Sequence, residues 1–165
     1  MKLADTKYDN HETGCCAPLD PAVWDNQTLT WTGRSFVKDH MRALFHIPLD
    51  FAKVVGRTHA AIAKAEAYPE RPFWLSDEVS PWRSDFYVAV DRDVPGVENA
   101  VLSGTYLTKV FEGPYRDMGK WIGAMREHVA AQGYQIQKLY FFYATCPKCA
   151  KRFGRNQVAL FAQVA

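Results

Sequence analysis

The sequence predicts an α+β domain built from two similar strand-helix-strand-strand units. Helix-forming stretches open on Phe45-His46-Ile47-Pro48 and on Phe111-Glu112-Gly113-Pro114, and strand-like residues precede and follow both. Sliding one half over the other aligns these openings, although the halves agree in pattern more than in identity. We therefore expect two β-α-β-β units, related by a pseudo-twofold axis and sharing an antiparallel sheet. A seam between such repeats is a common place for a ligand cleft.

Composition limits the class of protein. The chain has 165 residues, 48% of them hydrophobic, which is enough for an independent core. Its net charge of +2 is too small to indicate a nucleic-acid or anionic-membrane surface. No long apolar span or signal-peptide core is present, so we expect a cytoplasmic protein with neither nucleic acid nor membrane as a partner. The sequence does not indicate an oligomeric state.

Hydrophobic periodicity places the elements of the first unit, residues 35–94. Residues 1–34 before it form an arm: the stretch from Lys2 to Gln27 is polar and aperiodic, which predicts an extended chain, and Trp24 and Cys15-Cys16 indicate that it docks on the body. Alternation predicts a strand over 35–46, with Phe45 on its core face. Asp50 is expected to cap the next helix through its side chain. Two further strands are expected near 73–75 and 86–90.

The second unit, residues 100–165, repeats this plan. A strand is predicted from about 101 to 112, followed by a helix with an apolar stripe. Gly133 is expected to end that helix. Strands over 140–143 and 158–161 complete the unit.

Local motifs carry a resemblance to a known family. Residues 35–165 resemble the gyrase-inhibitory-protein-like (GyrI-like) small-molecule-binding domains, which also form the effector-binding halves of some multidrug-sensing transcription regulators. The match is clearest from Tyr106 to Tyr115, where Gly-Pro-Tyr stands at a strand-to-helix corner, and it continues through Trp121. The run Trp82-Arg83-Ser84-Asp85 and the hairpin from Cys146 to Cys149 resemble an uncharacterised bacterial branch of that family, often labelled hydrolase.

The resemblance implies a function. GyrI-like domains bind bulky, flat, often cationic organic compounds in an aromatic cleft closed by acidic residues. Some members resemble drug sinks, and others hydrolyse strained electrophilic rings in natural-product toxins. This chain lacks the DNA-binding helix pair of the regulators, so we expect a small organic ligand as its partner and no organic cofactor.

Superposing the predicted strands places candidate residues on the face away from the helices. His40 and His46 of the first unit fall opposite Tyr106 and Glu112 of the second. An aromatic pocket with a carboxylate holds organic cations, and a buried carboxylate can activate water. The catalytic hypothesis is hydrolysis, with Glu112 or Glu78 positioning water and Tyr143 or His46 acting as the acid. The ligand-binding candidates are Trp74, Trp82, Tyr106, Tyr115, Tyr140 and Phe142.

Each candidate also has a structural explanation. Aromatic strand residues commonly fill a core. Glu112 precedes Gly113-Pro114 and is equally explained as stabilising the N-terminus of the next helix. Glu78 is also explained as a solvated loop acid, and His46 as a hydrogen-bonded structural histidine. The alternative function is therefore a non-catalytic module that sequesters or senses drugs.

Four cysteines form a separate chemical signal. Cys146-Pro-Lys-Cys149 has the spacing of half a tetrahedral zinc site, and Cys15-Cys16 in the arm would supply the other ligands. Because adjacent cysteines point in divergent directions, His11 is a substitute ligand. We expect one structural zinc. A zinc- or redox-responsive role and four unconnected reduced thiols are the alternatives.

Overall fold

A computed structural model describes residues 19–144 and 156–165 of the chain. This part divides into two compact units: the first holds residues 32–103, and the second holds 19–31, 104–144 and 156–165. Each unit combines α-helix with antiparallel strand pairs, which confirms the predicted α+β class. The pseudo-twofold relation and the cleft at the seam stay predictions. Across the described ranges, no helix is long and apolar enough to span a bilayer.

The first unit follows the order strand, helix, strand, strand. Its elements are β1 (Thr28–Leu44, in this unit from residue 32), β2 (Ile47–Pro48), α2 (Phe51–Lys64), β3 (Trp74–Ser80) and β4 (Arg83–Ala89). β1 pairs with β4, and β4 pairs with β3. The two-residue β2 extends β1 as a short hairpin.

The two faces of the first unit differ in chemistry. One face packs against α2, whose Val54 and Ile62 are almost fully buried among apolar strand residues. Because side chains alternate along a strand, the neighbours of those strand residues lie on the opposite face. The α2 face carries Val37, Met41, Phe86 and Val88, and the opposite face carries Lys38, His40, Asp85 and Tyr87.

The second unit repeats this order of pairing. Its elements are α1 (Pro21–Trp24), β5 (Glu98–Glu112, in this unit from residue 104), a 3-10 turn (Tyr115–Asp117), α3 (Met118–Ala131), β6 (Ile136–Tyr143) and β7 (Gln157–Val164). β5 pairs with β7, and β7 pairs with β6. As in the first unit, the first strand pairs with the last and the last pairs with the middle one.

Helix α3 covers one face of the second unit and ends where the sequence predicts. Its buried Trp121, Met125 and Val129 pack against a cluster that includes Leu107, Phe141 and Leu160. The Tyr134 N–H donates to the Val129 carbonyl and the Gly133 N–H to the Ala130 carbonyl, the bonds of a Schellman motif. Gly133 has φ +80°, which confirms its predicted place at the helix end.

Three predictions about the elements were wrong. Phe45 is 70% exposed, because β1 ends at Leu44 and the chain turns at Phe45 and His46. The Asp50 carboxylate makes no capping bond to α2, since it accepts instead from Arg42 N–H and Arg42 Nε. Within the predicted extended arm, residues 21–24 form α1 and β1 already begins at residue 28.

Candidate functional site

A histidine held between two carboxylates lies on the face of the first unit opposite α2. His40 on β1 stands directly across from Asp85 on β4, and its Nδ1 lies 2.8 Å from Asp85 Oδ1. The other ring nitrogen, Nε2, lies 3.4 Å from Glu98 Oε2. The His40 side chain is 42% exposed and that of Asp85 only 8%. The imidazole therefore connects a buried carboxylate to an exposed one.

Asp85 is surrounded by groups that favour its anion. Arg83 Nε donates to Oδ1 at 2.9 Å, and Lys38 Nζ lies 3.6 Å from Oδ2. Burial alone would raise the pKa of Asp85, but the hydrogen bonds from His40 and Arg83 and the charges of Arg83 and Lys38 hold that pKa below its ordinary value. Asp85 is thus a permanent anion at neutral pH.

The partners of Nδ1 decide the tautomer of His40. Arg83 Nη2 also lies 2.8 Å from Nδ1, so a donor and an acceptor compete for one atom. We assign Nδ1–H donating to Asp85, because a bond to a buried carboxylate is stronger than one from a half-exposed guanidinium to a neutral imidazole. With Nδ1 protonated, Nε2 is the ring nitrogen that can gain or lose a proton. This arrangement fits proton transfer at Nε2, with Asp85 fixing the orientation of the ring.

The structure brings two of the four predicted catalytic residues together in the first unit. His46 Nδ1 lies 3.6 Å from Glu78 Oε2. The predicted ligand residue Trp82 contacts Phe45 with ring centroids 5.0 Å apart, at the same end of the unit. We call Phe45, His46, Glu78 and Trp82 the aromatic corner.

The other two predicted catalytic residues lie on opposite faces of the second unit. Glu112 pairs with Gln157, whose Nε2 donates to Glu112 Oε1 at 2.9 Å, whereas Tyr143 pairs with Val158 on the α3 side. Tyr143 contacts the predicted ligand residue Tyr115 edge to face at 6.0 Å. Within this unit, Glu112 and Tyr143 therefore do not converge on one substrate atom.

Three predicted ligand residues lie in a packed aromatic cluster. Tyr106, Tyr140 and Phe142 share the face of the second unit opposite α3, and each is at most 3% exposed. Trp24 of α1 contacts Phe142 at 5.7 Å, and Trp31 contacts Tyr106 at 4.5 Å. In the structure these rings are covered by aromatic side chains of their own unit.

The predicted face of Trp74 was wrong. Trp74 stands across from Val88 in the β3–β4 register and meets His59 of α2 edge to face at 6.2 Å. Its indole therefore lies on the helix side of the first unit. Its ligand role stays a prediction.

The predicted metal ligands Cys15, Cys16, Cys146 and Cys149, and the substitute His11, lie outside the described residues. In residues 19–144 and 156–165, no group of three or more His, Cys, Asp or Glu side chains could hold a metal ion. The zinc site stays a prediction.

The strand pattern predicts His40 on this face but does not identify it as a site residue. The missing information is the cross-strand register that sets His40 opposite Asp85. Asp85 is part of the run Trp82-Arg83-Ser84-Asp85 that carries the family resemblance. Because Arg83 and Asp85 are two residues apart, they share one face of a strand, and this spacing could have indicated a charged cluster on that face.

Comparison with known proteins gives a family and a fold. The profile of a family described as bacterial hydrolase matches residues 6–164. No curated protein matches the sequence.

Solved structures share the fold at low identity. A hydrolase from Listeria innocua has a TM-score of 0.64 at 12% identity, covering 86% of this chain and 92% of that one. The EcmrR C-terminal domain has a TM-score of 0.60 at 12% identity, covering 87% and 98%. EcmrR in a DNA complex has a TM-score of 0.63 at 12% identity, with coverage of 86% of this chain and 57% of that one. These likenesses support a GyrI-like fold in the broad sense.

Proposed function

This chain belongs to the bacterial hydrolase family, and from that premise we propose that it binds hydrophobic or cationic small organic molecules and hydrolyses reactive electrophiles among them. The observation that carries the proposal is the His40 imidazole, with its Nδ1 on the buried Asp85 and its Nε2 beside the exposed Glu98. A histidine oriented by a carboxylate is a common general base in hydrolysis.

The geometry around Nε2 suits a nucleophilic water. Nε2 and Glu98 Oε2 are two acceptors 3.4 Å apart. A water that donates one proton to Nε2 lies close to Glu98 as well and keeps its oxygen lone pairs available for attack. Water held in this way is oriented for attack before the substrate arrives.

An epoxide is one such reactive electrophile. The water oxygen forms a bond to a ring carbon while the C–O bond of the ring breaks, and its electron pair stays on the ring oxygen. One water proton passes to Nε2 and then to solvent, and the ring oxygen takes a proton from solvent. The product is a vicinal diol. Asp85 stabilises the imidazolium that forms on His40.

Replacing His40 with asparagine tests this role. The amide of His40→Asn can still donate to Asp85, but it lacks the base at Nε2. We expect kcat for hydrolysis of 4-nitrostyrene oxide to fall about a hundredfold to ten-thousandfold with little change in KM, measured by formation of the diol. The matched control is His128→Asn on α3, a partly exposed histidine whose Nε2 lies 3.0 Å from Gln132 Nε2, and this variant should keep wild-type turnover.

Two results would overturn the proposal in different ways. Wild-type turnover in His40→Asn would remove His40 from the mechanism. Saturable binding of flat cationic dyes without any product, in the wild-type protein, would favour sequestration over hydrolysis. Glu78 and His46 form a second candidate site for hydrolysis, because the Glu78 carboxylate lies 3.6 Å from the His46 imidazole. In that case, Glu78→Gln would abolish turnover and His40→Asn would not.

A further inference from the structure

Exposed apolar side chains concentrate at one end of the first unit. Of the ten exposed large hydrophobic residues in the described part of the chain, seven belong to the segments 44–51 and 79–82. These segments are the end of β1 with β2, the start of α2, and the β3–β4 hairpin. We call the seven residues the apolar end: Leu44, Phe45, Ile47, Leu49, Phe51, Val79 and Trp82.

Hydrogen bonds and ring contacts join the two segments. Ala43 N–H donates to the Trp82 carbonyl at 2.8 Å, and His46 N–H donates to the Pro81 carbonyl at 2.9 Å. The Phe45 and Trp82 rings lie next to each other, with centroids 5.0 Å apart. The apolar end is therefore one connected surface and not a set of scattered side chains.

A strained turn presents the Phe45 ring. Leu44 pairs with Ile47, so Phe45 and His46 are the two loop residues of the β1–β2 hairpin. Both have positive φ, +49° and +66°, as a type I′ turn requires. Asparagine and glycine are strongly preferred there, and a bulky side chain in this conformation is strained. Strain of this kind persists mainly at functional sites, so a strained turn that holds an apolar ring in water indicates a binding surface.

The area of the apolar end matches a protein interface. An aromatic side chain removes about 150–250 Å² from water when it is buried, so the three rings, each about half exposed or more, present roughly 350 Å². The four aliphatic side chains present roughly as much again. The largest apolar patch on a typical monomer is about 300–600 Å², whereas one partner of a standard interface buries about 800 Å². With a polar rim, the apolar end reaches the second value.

Ion pairs flank the apolar end and indicate the kind of partner. Arg42 Nε lies 3.1 Å from Asp50 Oδ2, and His46 Nδ1 lies 3.6 Å from Glu78 Oε2. Adsorption to an anionic membrane depends on a cluster of basic side chains, which two balanced pairs do not provide. A polar rim around an apolar centre is instead typical of protein–protein interfaces. Because both signs of charge are present, the basic member of one pair can face the acidic member in a second copy.

We propose that the apolar end is the interface of a homodimer, in which a second copy of this chain covers the Phe45 and Trp82 rings. A twofold contact uses the same patch on both partners, so it closes after two copies and does not continue into a filament. The interface shares no residue with the His40 centre. It does not depend on whether His40 hydrolyses a substrate.

Sedimentation velocity of the full chain at increasing concentration tests the proposal. The wild-type protein should show a monomer–dimer equilibrium with a dissociation constant in the micromolar range or below. Trp82→Ser removes a central aromatic ring and should raise that constant about tenfold or more. Tyr134→Ser is the matched control, because it removes an exposed ring from the second unit and should leave the constant unchanged.

A second variant separates association from folding. Phe45→Asn together with His46→Gly installs the sequence that a type I′ turn prefers. At concentrations where the wild-type chain is monomeric, this double variant should unfold at a higher temperature than the wild type. It should nevertheless form dimers at least tenfold more weakly, because the Phe45 ring is gone. Dimerisation at wild-type strength in the double variant would overturn the role of the apolar end.

Hydrogen exchange locates the interface without any substitution. Raising the concentration of the wild-type chain through the dissociation constant should slow exchange in residues 43–51 and 79–83. Slower exchange confined to other segments would place the interface elsewhere and overturn the proposal.

Three further results would overturn it. The first is a chain that sediments as a monomer up to millimolar concentration. The second is a series of species that keeps growing with concentration, since a twofold interface must close at the dimer. The third is binding to phosphatidylglycerol vesicles by a chain that stays monomeric in their absence, which would identify a membrane as the partner.

Discussion

His59 is a histidine that folding keeps from binding a proton. It lies on α2 against Tyr68, whose hydroxyl is hydrogen-bonded to its Nδ1, and against Trp74 and Phe86. Burial lowers the pKa of His59 below its ordinary value. The unfolded chain therefore binds this proton at a higher pH than the folded chain does, so acid favours unfolding.

A pH series of urea denaturation checks this effect. The free energy of unfolding should fall as the pH drops below about 6.5, until the lowered pKa of folded His59 is reached. His59→Asn, which keeps a polar partner for Tyr68, should lose this part of the slope. His128→Asn should keep it. An unchanged slope in His59→Asn would assign the acid sensitivity to other groups.

Single residues show what sequence reasoning could predict. His46, Glu78 and Trp82 were named from their residue types, and the structure brings His46 to Glu78. Phe45 was misplaced because alternation was extended through a turn that lacks the usual Asn-Gly signal. The pairing of His40 with Asp85 depends on strand register, which local pattern does not determine.

At the scale of elements, periodicity predicted α2 and α3 because each has one buried stripe, whereas the four-residue α1 buries no residue and was not predicted. The end of α3 was predicted because a left-handed position favours glycine. The role of Asp50 was wrong because a competing partner, Arg42, takes its carboxylate. Rules based on local sequence therefore succeed where a residue, such as Gly133, has no competing tertiary contact, and fail where one exists, as at Asp50.

Gly123 inside α3 and Gly133 just beyond its end give a matched pair of substitutions. An added Cβ would meet nothing within 4 Å at either Gly123 or Gly133, but only Gly133 has a positive φ. Gly123→Ala should raise the free energy of unfolding by about 0.5–1 kcal/mol, because alanine is the better helix former. Gly133→Ala should lower it by about 1 kcal/mol through left-handed strain. Chemical denaturation measures both, and changes of equal sign would contradict this account.

At the scale of the whole molecule, each unit has its own apolar cluster, one against α2 and one against α3. The α+β class followed from the repeated pattern of strand and helix signals. The twofold relation was drawn from the same pattern and stays a prediction, as does the cytoplasmic location.

The zinc prediction is also a property of the whole chain, since it joins cysteines far apart in sequence. Native mass spectrometry under reducing conditions should show the mass of one zinc, which a chelator removes. Cys146→Ser should lose the metal and lower the midpoint of thermal unfolding, because structural zinc stabilises the folded state. A metal-free mass in the freshly purified protein, with no effect of the chelator, would leave four separate thiols.

The short strand β2 has a consequence for solubility. It carries Ile47 and Pro48, and it pairs only with β1 among the strands of the described chain. A proline has no N–H to offer to an incoming strand, so another extended chain finds an incomplete ladder there. The end of the molecule with the most exposed apolar surface is thus protected against edge-to-edge aggregation. Apolar side chains can therefore stay exposed at this end, because the backbone of β2 cannot complete a hydrogen-bond ladder with an added strand.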